Sequence, residues 1–116
     1  LGDSGRVLAN DIEPRYLALL RRRVAQAAWR NVEVIEGLPH DPLLPTGRVD
    51  AAIMIPMYHE IEQPFGLLYH LAFAMKPNGL VGVLDVDGPT DSHGTPPRLL
   101  RCEFELMGYT YVRRQA

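Results

Sequence analysis

The 116-residue sequence predicts an α/β domain, with a mainly parallel sheet and helices on both of its faces. Two observations carry that expectation. Short β-branched or apolar runs alternate with longer segments whose apolar residues recur every three or four positions. The joins are marked by glycine and proline, and parallel neighbours need crossovers of the length found between the runs.

The first element lies in "GRVLANDIEP", where the apolar run at 7 to 9 reads as a strand ahead of Asp11. Pro14 then falls where a first helical turn tolerates a missing N–H. Leu17, Leu20, Val24 and Ala27 form the apolar face of the helix that follows. Arg21, Arg22 and Arg23 crowd its later turns, where cations suit the helix dipole; they read as a solvated face, with a phosphate-binding patch as the alternative. "NVEVIEG" is a β-branched strand closed by Gly37, and "RVDAAIMIP" is a longer apolar strand, expected to be buried on both sides and stopped by Pro56. Between them "LPHDPLLPTG", with three prolines, is a loop.

From about Gln63 to Met75 the residues Phe65, Leu68, Ala72 and Met75 mark one helical face, and "KPNG" reads as the turn that stops the helix. "LVGVLDV" is then a buried strand. "DGPTDSHGTPP" is a loop rich in breakers, and Thr95 before two prolines suits an N-cap for a helix carrying Leu99, Leu100, Phe104 and Met107, ended by Gly108. The alternating, aromatic "YTYVRR" reads as a final strand.

This length bounds the chain to a single domain over residues 1 to 116. Twelve basic and 14 acidic residues leave a net charge of -2, which gives no electrostatic pull toward nucleic acid or an anionic membrane. One cysteine, Cys102, excludes an intrachain disulfide and a clustered-thiol metal site, and it fits a reducing, cytoplasmic setting. No apolar run approaches the ~20 residues of a membrane helix. The first residue is Leu1 and not Met, which leaves room for a leader upstream.

Open sheets of this class bind ligands beyond the C-terminal ends of their strands. Those ends carry Asp11, Glu36 to Leu38, Pro56 to Glu60, and Asp85 to Asp87. Asp11 stands between a strand and a helix, where its two oxygens suit the paired hydroxyls of a ribose; a helix N-cap is the alternative use of the same acid. Ile12 beside it suits either a purine face or the core.

Read together, "GRVLANDIEP", "NVEVIEG", "RVDAAIMIPMYHEI", "MKPNGLVGVLDV" and "ELMGYTYVRR" resemble the second to sixth strand regions of class I S-adenosylmethionine-dependent methyltransferases. The match spans nearly the whole chain and implies a Rossmann-like methyltransferase fold. It implies S-adenosylmethionine as cofactor, with Asp11 on its ribose and Ile12 on its adenine. Gly37 and Leu38 would adjoin the adenine, while Pro56 and Tyr58 would line the cofactor pocket. His59 would face the methyl acceptor as a candidate general base.

The departures are specific. The family commonly follows its third strand with glycine and then an acid that accepts from the adenine amino group, whereas here Gly37 is followed by Leu38. Asp41 or a backbone carbonyl is left to fill that role. The family's first strand and glycine-rich turn would lie upstream of Leu1, which makes the sheet incomplete. The absent strand is the central member in that family, between the second and the fourth. Two unpaired strand edges follow, which an omitted segment, a homodimer, or closure of the two strands on each other would cover.

Other signals carry less. "GDSG" at 2 to 5 is similar to the nucleophile loop of trypsin-like proteases, but every histidine comes later and the surroundings are α/β. "HEIEQ" lacks the second histidine of a zinc-protease helix, and His40, His59, His70 and His93 are scattered along the chain. Two competing readings remain in view: a non-catalytic dimeric remnant of the fold, and a nicotinamide-dependent oxidoreductase, whose ribose acid occupies the same position.

Overall fold

The computed structural model describes residues 4–54, 63–84 and 97–112. In chain order the elements are β1 (Val7–Asp11), α1 (Pro14–Ala27), β2 (Val32–Glu36), β3 (Val49–Met54), α2 (Pro64–Ala74), β4 (Met75–Val83) and α3 (Pro97–Leu106). The alternation expected from the sequence is present. Both pairings are parallel: β1 with β2, running from Val7 opposite Val32 to Asp11 opposite Glu36, and β3 with β4. These form two separate two-stranded sheets among the described residues, so β1 and β3 do not close on each other. That is the pairing the resemblance implies for the second with the third and the fourth with the fifth strand.

Helix α1 begins as its sequence dictates. Pro14 opens it, and the Glu13 side chain caps it by accepting from the Arg15 amide. It ends at Ala28, whose φ of 55° puts it in the left-handed region. Leu17 is fully buried, in a helix that lies against β1 and β2; Leu20 and Val24 are half-buried, and Ala27 is exposed. Arg21 to Arg23 are exposed.

The main core joins β3, β4, α2 and α3. Met54, Leu68 and Leu71 are its buried centre, flanked by Ala52, Val81, Val83, Leu100, Phe104 and Met107. Three expectations are corrected here. On α2 the buried residues are Leu68, Leu71 and Ala74, while Phe65 and Ala72 are exposed. The segment "PFGLLYHLAFA" is apolar almost all round, so its periodicity does not select a face. Secondly, "KPNG" lies inside β4. The strand begins directly after the helix at Met75, opposite Val49, and the register jumps to Leu80 opposite Ala51, leaving residues 76 to 79 as a bulge. Gly79 is required there, because a Cβ would stand 3.0 Å from the Lys76 carbonyl oxygen and 3.2 Å from that of Asp50. Thirdly, β3 is not buried on both sides. Ile53 is 71% exposed, and Leu80 and Leu84 on the same face are also exposed; α2 and α3 cover the other face.

A fourth correction concerns the C-terminal end. Residues 109 to 112 of "YTYVRR" form no strand, and the segment is held to the helices by side chains instead. The Tyr109 hydroxyl donates to the Leu68 carbonyl at 2.7 Å, and its ring meets Phe104 edge-on at 5.1 Å. Tyr111 lies under the Arg101 guanidinium, 4.1 Å from its centroid. Gly108, with φ of 89°, ends α3 as expected, and the Tyr109 amide donates back to Phe104. No described helix is long and apolar enough to cross a membrane.

Candidate functional site

Parallel pairing brings the C-terminal ends of β1 and β2 side by side. The Gly37 amide donates to the Asp11 carbonyl at 2.9 Å, extending the ladder one residue past β2. Asp11 and Gly37 are thereby neighbours, and Ile12 and Leu38 each follow one residue later. Four of the seven residues singled out from sequence therefore stand together. The other three, Pro56, Tyr58 and His59, lie outside the described residues, as do Asp85, Asp87, His93 and Thr95.

The Asp11 carboxylate performs part of the alternative role named for it. Its Oδ1 accepts from the Ile12 amide at 2.7 Å and the Glu13 amide at 3.2 Å, fixing the turn into α1. Its Oδ2 accepts no hydrogen bond among the described residues. The helix cap itself is Glu13. Ile12 and Leu38, the residues after Asp11 and Gly37, are 49% and 43% exposed, which leaves two exposed apolar residues at the strand ends.

The loop after β2 is folded tightly over Gly37. Leu38 and Asp41 exchange two backbone hydrogen bonds, at 2.7 and 3.1 Å, closing a turn through Pro39 and His40. The chain then returns so closely that a Cβ on Gly37 would stand 3.0 Å from both the Cα and the carbonyl oxygen of Pro42. Asn10 secures the return: its Nδ2 donates to Ile35 O at 3.1 Å and to Pro42 O at 2.8 Å. Asp41 accepts from the Leu43 amide at 2.8 Å through Oδ1, and its Oδ2 lies 3.8 Å from His70 Nε2.

Sequence reasoning missed two of these features. Asn10 is a polar residue at the end of an apolar strand, and that break in pattern was the available signal. His40 and His70 are not scattered, since their ring centroids are 5.9 Å apart. Thirty positions separate them, and no local pattern announces the contact. Among the described residues, no group of three His, Cys, Asp or Glu side chains is placed to hold a metal ion.

The arrangement is that of an α/β fold with a carboxylate and two apolar residues at the ends of adjacent parallel strands. No protein-family model matches the chain, and no curated protein matches it. A solved structure does: the crystal structure of a SAM dependent methyltransferase from Aquifex aeolicus superimposes with a TM-score of 0.88 at 24% sequence identity. The match covers 97% of this chain and 63% of that one. This chain thus has a methyltransferase Rossmann-like fold, spanning somewhat less than two thirds of the length of the structure it matches.

Proposed function

We propose that this chain binds S-adenosylmethionine and supplies part of the catalytic domain of an enzyme that transfers its methyl group to an acceptor. One observation supports this above the others: Asp11 presents a carboxylate oxygen that accepts no hydrogen bond among the described residues, at the end of a parallel strand pair whose next residues, Ile12 and Leu38, are exposed and apolar, on a fold shared with a methyltransferase. The residues fit the group. Asp11 Oδ2 would accept from a ribose hydroxyl, Oδ1 being held by its own turn, and Ile12 and Leu38 would offer apolar surface to the adenine. Gly37 lets the loop close beneath them. When bound, the cofactor supplies a methyl group activated by its sulfonium. Pro56 and Tyr58 are proposed to line that region, with His59 beside the acceptor as general base; alignment of acceptor and methyl carries most of the rate.

Calorimetry with S-adenosylhomocysteine tests the reading. Heat of binding that is lost in Asp11→Ala supports it, and no heat with the wild-type chain overturns it. Reduced nicotinamide dinucleotide serves as the comparison ligand, since binding of that nucleotide alone favours the oxidoreductase.

We also propose a homodimer. The support is that β1 and β3 each pair on one side only among the described residues, and that Ile53, Leu80 and Leu84 leave an apolar face open. Light scattering at the mass of a monomer overturns this. The exposed Cys102 is in keeping with a reducing, cytoplasmic setting.

A further inference from the structure

We infer that His70 is a positioning residue for the Leu38–Asp41 turn, holding the proposed adenine wall in place from α2; the inference rests on the cofactor reading above. Two carbonyl oxygens face His70 Nδ1, those of His40 at 2.7 Å and Gly66 at 2.9 Å. A nitrogen facing only acceptors carries the ring proton, so Nδ1 donates, its one N–H shared between the Gly66 carbonyl of α2 and the His40 carbonyl at the crest of the turn. The opposite nitrogen, Nε2, faces the Asp41 carboxylate at the foot of the turn. At 3.8 Å that second approach is no hydrogen bond, so the Nδ1 contact with His40 is what ties the imidazole to a turn whose first residue is Leu38.

The backbone is shaped for the same contact. Gly66 lies one helical turn before His70, and a Cβ there would come within 3.1 Å of His40 Cβ. Here its lack of a side chain lets His40 lie directly on the helix. α2 is otherwise apolar apart from Tyr69, so packing alone gives no reason for a histidine at this position. Besides the Gly66 carbonyl of its own helix, its polar atoms face a loop that leads from β2 to β3. The adenine wall and the core of the second sheet are thereby joined by a side chain.

Three variants separate this role from simple packing. Asparagine places an N–H donor near the position of Nδ1, glutamine reaches toward that of Nε2, and alanine has neither. Alanine is the best helix former, so a loss in His70→Ala is not one of helix propensity. Amide hydrogen exchange on the full chain reads the turn without any cofactor. The Leu38 and Asp41 amides are expected to exchange about five- to tenfold faster in His70→Ala and His70→Gln, the worth of about one hydrogen bond, and near the wild-type rate in His70→Asn. Affinity for S-adenosylhomocysteine is expected to follow the same order.

Equal exchange in wild type and His70→Ala overturns the inference, as does His70→Asn behaving like His70→Gln. If exchange follows the expected order but the wild-type chain binds no S-adenosylhomocysteine, the cofactor reading fails and the adenine role falls with it. That result is distinct from failure of the contact itself.

Discussion

The Gly37 amide donates to the Asp11 carbonyl at 2.9 Å, and this bond sets the acid of β1 beside the loop of β2. It makes two residues that are far apart in sequence into the two sides of one site. Each side is testable separately.

On the Asp11 side, asparagine is the informative substitution. Asp11→Asn keeps a side-chain oxygen for the Ile12 and Glu13 amides, so the turn into α1 is retained. It replaces Oδ2 by an amide nitrogen, which does not accept. Hydrogen bonds to charged groups are worth ~1.5–3 kcal/mol, so affinity for S-adenosylhomocysteine is expected to fall roughly ten- to hundredfold with little change in melting temperature. Calorimetry beside a thermal melt checks both halves.

On the Gly37 side the expected effect is on the fold as well. Gly37→Ala brings a methyl 3.0 Å from two backbone atoms of Pro42, and backbone has no flexible end with which to yield. Overpacking of this kind costs about 1–3 kcal/mol. Urea denaturation is expected to show a lower midpoint with an unchanged slope.

Tyr109 predicts an alkaline limit to stability. Burial pushes its hydroxyl from 10.0 up to about 12, because the charged form is the one that desolvation disfavours. The folded value lies above the unfolded one, so this group's contribution is fully present below pH 10 and is lost as pH rises from there through about 12. Tyr109→Phe removes that pH dependence, along with the bond to Leu68 O, at a cost of ~0.5–1.5 kcal/mol near neutrality. Melts of both proteins across that range should converge at the alkaline end.

How far the sequence reaches depends on whether a signal is local. The order of strands and helices was legible because each element carries its own period and punctuation: Pro14 opens α1, Gly108 closes α3, and Gly37 follows β2. Asp11 and Gly37 were legible as strand-end residues for the same reason. The buried face of α2 was not, because a helix apolar all round looks alike from every side. The C-terminal aromatics were misread since tyrosines that suit a strand equally suit a clamp on a helix, and only the partners, Leu68 and Arg101, decide between them. Asn10 and the His40–His70 contact depend on residues about thirty positions away. No pattern in one sequence encodes those distances.

Asn10 and Gly37 act on the same residue, and their coupling is the sharpest test of how the loop is held. Asn10 donates to Pro42 O, and Gly37 leaves room for that same oxygen. Asn10→Ala leaves the carbonyl without this donor, at a cost of about 1–3 kcal/mol if water does not replace it. Once Pro42 is released, the methyl of Gly37→Ala has space to displace it. The double variant is therefore expected to lose less stability than the sum of the two single ones, with a coupling of ~0.5–3 kcal/mol, as found for residues that share a contact. Denaturation of the four proteins in the cycle measures it; strict additivity would mean that the two residues hold the loop independently and that Pro42 is not their common point.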